Sequence, residues 1–261
     1  MKKLGISWLL LICCQLAWAA GGSSVVPQNL RCEYLVDPRG IDELQPRLSW
    51  TLRATDTTAL AQRQTAYNIL VAGTESDLRS GRGTIWSSGW INSSDMQQIV
   101  YKGPILQSDK AYYWKVAVKD EKGVVSDWSP VAVWTTGLLN PADWKASWIG
   151  AGEVYKPGTG TCNIADPWFR KTFELKTTPR QANIFVASVG YHEVYVNGNR
   201  VGEDVLAPAV TDHAKRARYI TYDIAKYLKP GKNVIGLWLG TSWSIFGPYI
   251  SPDRPNAPIV L

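Results

Sequence analysis

The 261-residue chain is 45% apolar and 19% charged, so it can build folded cores and is not a disordered or low-complexity chain. No apolar run reaches the roughly 18 residues of a transmembrane helix, which excludes a polytopic membrane protein. The formal net charge is +6, and it falls to +4 without the two lysines at residues 2 and 3, an excess too small to indicate nucleic-acid binding. We therefore predict a globular protein of one or two domains.

The first nineteen residues have the three parts of a secretory signal peptide. Lys2 and Lys3 form a short basic start, residues 8–14 are an apolar stretch, and residues 17–19 (Ala-Trp-Ala) form a small-x-small cleavage site. A membrane anchor would need a longer apolar stretch. We therefore predict cleavage after Ala19, a secreted or periplasmic location, and no membrane attachment once the signal is removed.

Two cysteines remain after this cleavage, Cys32 and Cys162. Two thiols in an oxidising compartment are able to form a disulfide. They lie far apart in the sequence and in different predicted domains, so we favour the interpretation that they are unpaired.

The first half of the mature chain shows apolar and polar residues alternating with a period of two. The alternating segments are residues 48–52, 67–71 and 112–118. Short strands at this spacing, separated by Gly, Pro, Ser and Asp, indicate an all-β sandwich. Leu106 precedes Tyr112 by six residues, a spacing similar to the tyrosine corner of fibronectin type III domains. We predict that residues 20–26 are a linker and that residues 27–137 form a fibronectin type III-like β-sandwich.

A second β-sandwich, of jelly-roll type, is predicted after residues 138–165, which we interpret as a linker followed by the first strand of this unit. Its other alternating segments are residues 168–175, 182–189, 192–196, 219–224 and 233–239. Asn197-Gly198 predicts a hairpin, because both residue types tolerate the positive φ of a tight turn. The sequence stops on the apolar run 258–261, which is typical of an interrupted strand. Residues 166–261 are therefore expected to form a sandwich that is incomplete at its C-terminus.

Side chains suited to catalysis are scarce in this sequence. The two histidines, His192 and His213, do not have the spacing of a zinc site. Neighbouring carboxylates such as Asp42 and Glu43 point to opposite sides of an extended chain. A glycosidase needs two carboxylates about 5–9.5 Å apart, and the sequence alone places no such pair. We predict no catalytic residue in this chain.

A set of segments occurs in one order along nearly the whole mature chain. They are Asn29–Trp50, Asp143–Gly150, Gly190–Gly198 (Gly-Tyr-His-Glu-Val-Tyr-Val-Asn-Gly), Val205–Pro208, Thr211–Asp212 and Tyr219–Ile224. Together these segments resemble the N-terminal β-domains of bacterial α-L-rhamnosidases of the family-78 glycoside hydrolase type. One segment departs from the family pattern: Gly-Thr-Ser-Trp-Ser at residues 240–244 stands where the family usually has Gly-x-Gly-Trp-Tyr.

The resemblance implies a secreted multidomain enzyme that hydrolyses terminal α-L-rhamnosides with inversion. In that family the catalytic acid and base belong to a large helical domain downstream of β-domains like these. This sequence lacks that C-terminal helical catalytic domain, which would be its partner, together with a rhamnose-containing glycan as ligand. The resemblance therefore implies the non-catalytic N-terminal portion of such an enzyme, with no catalytic residue to carry over.

A sugar site, if present, is expected on the second sandwich. Sugars combine an apolar face with a ring of hydroxyls, so their sites pair aromatic rings with fixed polar groups, often on loops. The candidate carbohydrate-binding residues are Tyr191, Asn197, Asp212, Trp243 and Tyr249. The alternatives are that Tyr191 and Trp243 are buried in the core and that Asn197 serves its turn.

The family resemblance also bears on cofactors, because some members bind rhamnose with the help of calcium. Asp204, Asp212 and loop carbonyls supply oxygen atoms of the kind that calcium prefers. Otherwise we expect no cofactor.

Two functional hypotheses remain from the sequence. The first is the N-terminal accessory portion of an α-L-rhamnosidase, inactive alone. The second is a stand-alone secreted β-sandwich protein for carbohydrate binding or adhesion. A natural two-domain protein is expected to end on a polar tail, and the apolar ending at residues 258–261 favours the first hypothesis.

Overall fold

The computed structural model describes residues 22–55, 57–58, 60–151, 166–213, 215–242 and 259–261. Within these residues nearly all regular structure is β-strand, which confirms the all-β prediction. The helical elements of this part of the chain are α1 (Glu75–Arg79) and two 3₁₀ turns, at Pro141–Asp143 and Ala225–Tyr227. None of these helices has the length and apolar character needed to cross a membrane. The predicted signal peptide, residues 1–19, lies outside the described residues.

The first sandwich consists of two antiparallel sheets. Its strands are β1 (Val25–Cys32), β2 (Arg47–Ala54), β3 (Ala66–Ala72), β4 (Trp86–Ser87), β5 (Ile91–Asn92), β6 (Ile99–Val100), β7 (Ala111–Lys119) and β8 (Ala132–Thr135). One sheet has the order β1-β2-β6, and the other has the order β4-β3-β7-β8, with β5 also paired to β3. Strand β1 thus begins two residues before the predicted domain start at residue 27.

Large aromatic side chains fill the core between these two sheets. Trp50, Trp114 and Trp134 are almost completely buried there. The Tyr112 hydroxyl accepts a hydrogen bond from the Gln107 backbone N–H at 2.8 Å, so the predicted tyrosine corner is present. Cys32 belongs to the same core, where burial raises the pKa of its thiol. The other cysteine that remains after the predicted cleavage, Cys162, lies outside the described residues.

The second sandwich has two four-stranded sheets. Its strands are β9 (Ile149–Gly150), β10 (Trp168–Leu175), β11 (Asn183–Val189), β12 (Tyr191–Val196), β13 (Asn199–Val201), β14 (Tyr219–Asp223), β15 (Gly231–Gly240) and β16 (Ile259–Val260). One sheet has the order β10-β15-β12-β13 and the other has the order β14-β11-β16-β9. Residues 259 and 260, within the apolar ending of the sequence, form a strand, since β16 pairs with both β11 and β9.

Strand β12 and its turn fix the geometry of the second sandwich. His192, Val194 and Val196 point into the core, so the alternate residues Tyr191, Glu193 and Tyr195 face outward. The turn that follows has Asn197 and Gly198 at φ of 50° and 84°, which is the expected hairpin between β12 and β13.

The two sandwiches meet where β8 leads into the second domain. The Tyr219 hydroxyl accepts a hydrogen bond from the Leu138 backbone N–H at 3.3 Å, and its ring packs edge-on against Trp144. A β-carbon at Gly137 would lie 1.9 Å from the Tyr219 hydroxyl oxygen, so only glycine allows this approach. Part of the predicted linker, residues 138–165, is therefore a packed contact between domains.

Candidate functional site

A small pocket opens on the outer face of the sheet β10-β15-β12-β13, at the end where β12 begins and β15 stops. Its volume is about 160 Å³. The lining residues are Asp166, Tyr191, His192, Glu193, Leu206, Trp238, Leu239 and Gly240. The structure therefore places Tyr191, one of the sequence-predicted site residues, on a half-exposed pocket wall rather than in the core.

Two carboxylates give the pocket fixed polar walls. Asp166 Oδ1 accepts hydrogen bonds from the Thr241 backbone N–H at 2.9 Å and from its hydroxyl at 2.8 Å. Glu193 accepts the Tyr195 hydroxyl at 2.6 Å and forms an ion pair with Arg200 at 3.3 Å. Oxygen atoms held in this way are suitable acceptors for ligand hydroxyl groups.

Three aromatic rings continue outward from this pocket in a row across the sheet, which we call the aromatic row: Trp238, Trp168 and Tyr195. The two indoles are stacked, with centroids 4.8 Å apart and planes at 15°, and Trp168 lies 5.5 Å from Tyr195. Trp168 is 58% exposed and Trp238 is 39% exposed. Sequence reasoning did not single out these residues, although Trp238 sits between the inward-facing Leu237 and Leu239 and so had to face outward.

Asn197 lies at the opposite end of β12 from Tyr191, roughly 20 Å away at the rise of a β-strand. Its amide group donates to the Tyr227 carbonyl and to Asn233, both at 2.8 Å, and its oxygen accepts the Val234 N–H at 2.9 Å. The structure thus does not bring Asn197 to the pocket, and its hydrogen bonds serve the turn.

The remaining predicted residues are also not gathered at the pocket. Asp212 forms an ion pair with Lys215 at 3.0 Å and does not line the pocket. Trp243 and Tyr249 lie outside the described residues. Among the described residues, no group of three or more His, Cys, Asp or Glu side chains is placed so that it could hold a metal ion.

His192 reaches beneath the pocket into a closed hydrogen-bond network. The Ser188 hydroxyl donates to the Gly190 carbonyl at 2.9 Å, so it accepts at 2.8 Å from His192 Nδ1–H. His192 Nε2 then accepts the Tyr222 hydroxyl at 3.0 Å. Burial lowers the pKa of His192 to about 4, so the ring is neutral at pH 7. Because Ser188 does not donate to the imidazole, this group has the character of a core network rather than of an activated nucleophile.

A larger cleft of about 410 Å³ lies between the two sandwiches. Several polar groups of this cleft already bind one another. Arg39 forms an ion pair with Asp223 at 2.9 Å, and the Asn183 amide donates a hydrogen bond to Asp109 at 2.7 Å. Aromatic rings do not line this cleft, so the pocket beside Tyr191 is the better candidate for a sugar.

Both halves of the chain match protein families. Residues 27–140 match the family described as Rha78A-like, N-terminal immunoglobulin domain, and residues 177–248 match the Alpha-L-rhamnosidase N-terminal domain. The two matches follow the order of the two sandwiches, and the second includes most of the sheet that carries the pocket.

Similar sequences include an Alpha-L-rhamnosidase of Formosa agariphila, 32% identical over 231 residues, and one of Alteromonas sp. (strain LOR), 32% identical over 246 residues. These alignments cover 82% and 90% of this chain but 24% and 26% of the relatives. The chain therefore spans about a quarter of the length of the relatives it matches.

Solved structures agree with the sequence matches. The alpha-L-rhamnosidase from Dictyoglumus thermophilum is similar over 90% of this chain and 26% of its own, with a TM-score of 0.77 and 34% identity. The Streptomyces avermitilis alpha-L-rhamnosidase complexed with L-rhamnose has the same fold over 91% of this chain, with a TM-score of 0.77 at 20% identity.

Proposed function

Since this chain belongs to the α-L-rhamnosidase family as its N-terminal β-domains, we propose that it is the non-catalytic N-terminal portion of a secreted enzyme that removes terminal α-L-rhamnosyl residues. The observation that carries the proposal is the ordered match of both sandwiches to domains of that family, over about a quarter of the relatives' length. The basic start, apolar stretch and Ala-Trp-Ala site at the N-terminus support export.

The second part of the proposal is that the pocket beside Tyr191 binds a terminal sugar of a rhamnose-containing glycan. It combines an aromatic wall, Tyr191 and Trp238, with two fixed acceptors, Asp166 and Glu193. Leu206 adds an exposed apolar side chain that suits the methyl group of a 6-deoxy sugar.

Hydrolysis is the first test of this function. The chain without its first nineteen residues is expected to leave an aryl α-L-rhamnoside intact. The two carboxylates of the pocket, Asp166 and Glu193, already accept hydrogen bonds from the Thr241 and Tyr195 hydroxyls, whereas a glycosidase needs one carboxyl group free to act as acid and another free to act as base or nucleophile. A full-length α-L-rhamnosidase serves as the positive control. If the chain released the aryl group and either Asp166→Asn or Glu193→Gln abolished this activity, the pocket would be a catalytic site and the proposal would be wrong.

Binding is the second test. Titration with L-rhamnose, followed by tryptophan fluorescence, is expected to give a saturable change in the millimolar range, about 4 kcal/mol of binding free energy. Tyr191→Ala and Glu193→Gln should weaken it, whereas Asp212→Asn should not, because Asp212 is not on the pocket wall. Equal loss in all three variants would place the sugar elsewhere.

A further inference from the structure

The strand beneath the pocket and the aromatic row presents an open surface on both sides of Trp238. Along β15, Leu237 and Leu239 pack into the core, so Gly236, Trp238 and Gly240 face outward. Neither glycine has a positive φ. A β-carbon at either position would meet the nearest atom, the β-carbon of Tyr195 or of Tyr191, at an ordinary 3.6 Å.

The backbone therefore does not require glycine at these two positions. Glycine in a strand is less stable than alanine, and it often marks a place where a ligand approaches the sheet closely. Two such glycines, on either side of an exposed tryptophan, add no side chain of their own to this face.

Each opening has a different neighbour. Gly240 forms the floor of the pocket beside Tyr191. That pocket, at about 160 Å³, is well below the roughly 300–1,000 Å³ of sites for drug-sized ligands, so it accommodates one small ring. Gly236 pairs with Tyr195 on one side and with Arg170 on the other, and the rings of Trp168 and Tyr195 come within 5.5 Å of each other across this strand.

Trp238 joins the two openings, because it lines the pocket and also stacks on Trp168. The aromatic row is thus continuous with the pocket. Side chains that form hydrogen bonds lie beside the aromatic row. In the sheet register Glu193 is next to Trp238, and Arg200 is next to Tyr195. The centre of a protein interface is depleted in charged residues, whereas a saccharide needs both flat rings and hydrogen-bond partners.

We propose that the aromatic row is a second saccharide subsite, so that the complete site takes a glycan of at least two sugar units in preference to a monosaccharide. The terminal sugar occupies the pocket over Gly240, and the next unit lies against Trp168. This inference rests on the proposed sugar contact at the pocket and extends it to the substrate class.

The test compares methyl α-L-rhamnoside with a rhamnosyl-glucose disaccharide by calorimetric titration of the chain. The disaccharide is expected to bind roughly tenfold more tightly, the increment of one added stacking contact. Trp168→Ala should remove this increment and leave monosaccharide binding within about twofold. Gly236→Thr, which fills the floor of the row, should do the same while keeping the strand stable, because threonine favours β-structure.

Trp148→Ala is the matched control. This tryptophan is 42% exposed but directly precedes β9, in the opposite sheet of the same sandwich, so its loss should change neither affinity. Equal binding of both ligands, or an increment that survives in Trp168→Ala and Gly236→Thr, would overturn the second subsite and leave the pocket intact. Absence of monosaccharide and disaccharide binding would instead refute the sugar contact itself.

Discussion

The two sandwiches of this chain use tryptophan in opposite ways. In the first, Trp50, Trp114 and Trp134 lie in the core with almost no exposed surface. In the second, the core is built mainly of valine, isoleucine, leucine and tyrosine, and Trp168 and Trp238 lie on the outside of the sheet. Among the described residues, tryptophan therefore occurs both in a core and on a sheet surface, and composition alone does not separate these two uses.

Exposed tryptophans also occur on the first sandwich, but each has a partner within its own domain. Trp128 has the ammonium group of Lys115 over its ring at 4.7 Å, and Trp90 has that of Lys119 at 4.8 Å. On the second sandwich two of the exposed indoles, Trp168 and Trp238, stack on each other beside the glycines of β15. A cation over a ring stabilises an exposed indole within its own domain. Exposed rings that stack on one another instead form a continuous apolar patch of the kind that binds a partner.

The largest expected effect separates core from surface tryptophans. Trp114→Ala should lower the free energy of unfolding of the first sandwich by about 3–5 kcal/mol, because it leaves a large cavity in a close-packed core. Trp168→Ala should cost less than about 1 kcal/mol, because most of that indole is already in water. Urea denaturation of both variants measures the difference, and similar losses of unfolding free energy would show that the two tryptophans do not differ in their contribution to stability.

The next largest effect is a difference between the two domains in their stability at acidic pH. His192 has its pKa lowered by burial from 6.5 to about 4, so between these values the unfolded chain binds a proton that the folded chain does not. The second sandwich should therefore lose about 3 kcal/mol as the pH falls from about 6.5 to about 4. Burial lowers the pKa of His213 as well, which acts in the same direction. Both histidines of the sequence are in this half.

The first sandwich should resist this range of pH. The side-chain hydrogen bond from Arg47 lowers the pKa of Glu33 from its ordinary 4.5, so that contribution is lost only at more acidic pH. Hydrogen exchange followed by mass spectrometry at pH 7, 5.5 and 4.5 reports each domain separately. His192→Gln removes a titrating group, so the stability of the second sandwich should depend less on pH in this variant. An equally steep dependence on pH would show that His192 is not its cause.

A moderate effect is expected where the two domains touch. Gly137→Ala would place a methyl group on the Tyr219 hydroxyl, and overpacking of this kind costs about 1–3 kcal/mol. The domain pair should loosen, with faster proteolysis between residues 137 and 144. Adding Tyr219→Leu to the variant restores space and should recover protection in part. Unchanged proteolysis of Gly137→Ala would show that the contact does not hold the domains together.

The smallest effect is expected from charge at the same contact. Arg39 and Asp223 form an ion pair at 2.9 Å, but both side chains are nearly half exposed. Arg39→Gln should therefore change the free energy of unfolding by no more than about 0.5 kcal/mol. Thermal unfolding at low and high salt measures it, and a larger loss than in Gly137→Ala would mean that charge, rather than shape, joins the domains.

The sequence by itself determined the features that arise within a few residues. Period-two alternation predicted the strands and the all-β class, Asn197-Gly198 predicted its hairpin, and the spacing of Leu106 and Tyr112 predicted the tyrosine corner. These predictions are confirmed because the direction of side chains along a strand and the φ angles of a turn are local properties. The ordered segments likewise carried the family resemblance without any knowledge of contacts.

Only the tertiary structure decided which of these residues become neighbours. Tyr191 and Asn197 are six residues apart in the sequence but lie at opposite ends of one strand, whereas Trp168, Tyr195 and Trp238 come together from three strands. Strand order and register set such neighbours, and both depend on pairings between distant segments. The aromatic row exists because β15 lies between β10 and β12, an arrangement that no local pattern in the sequence expresses.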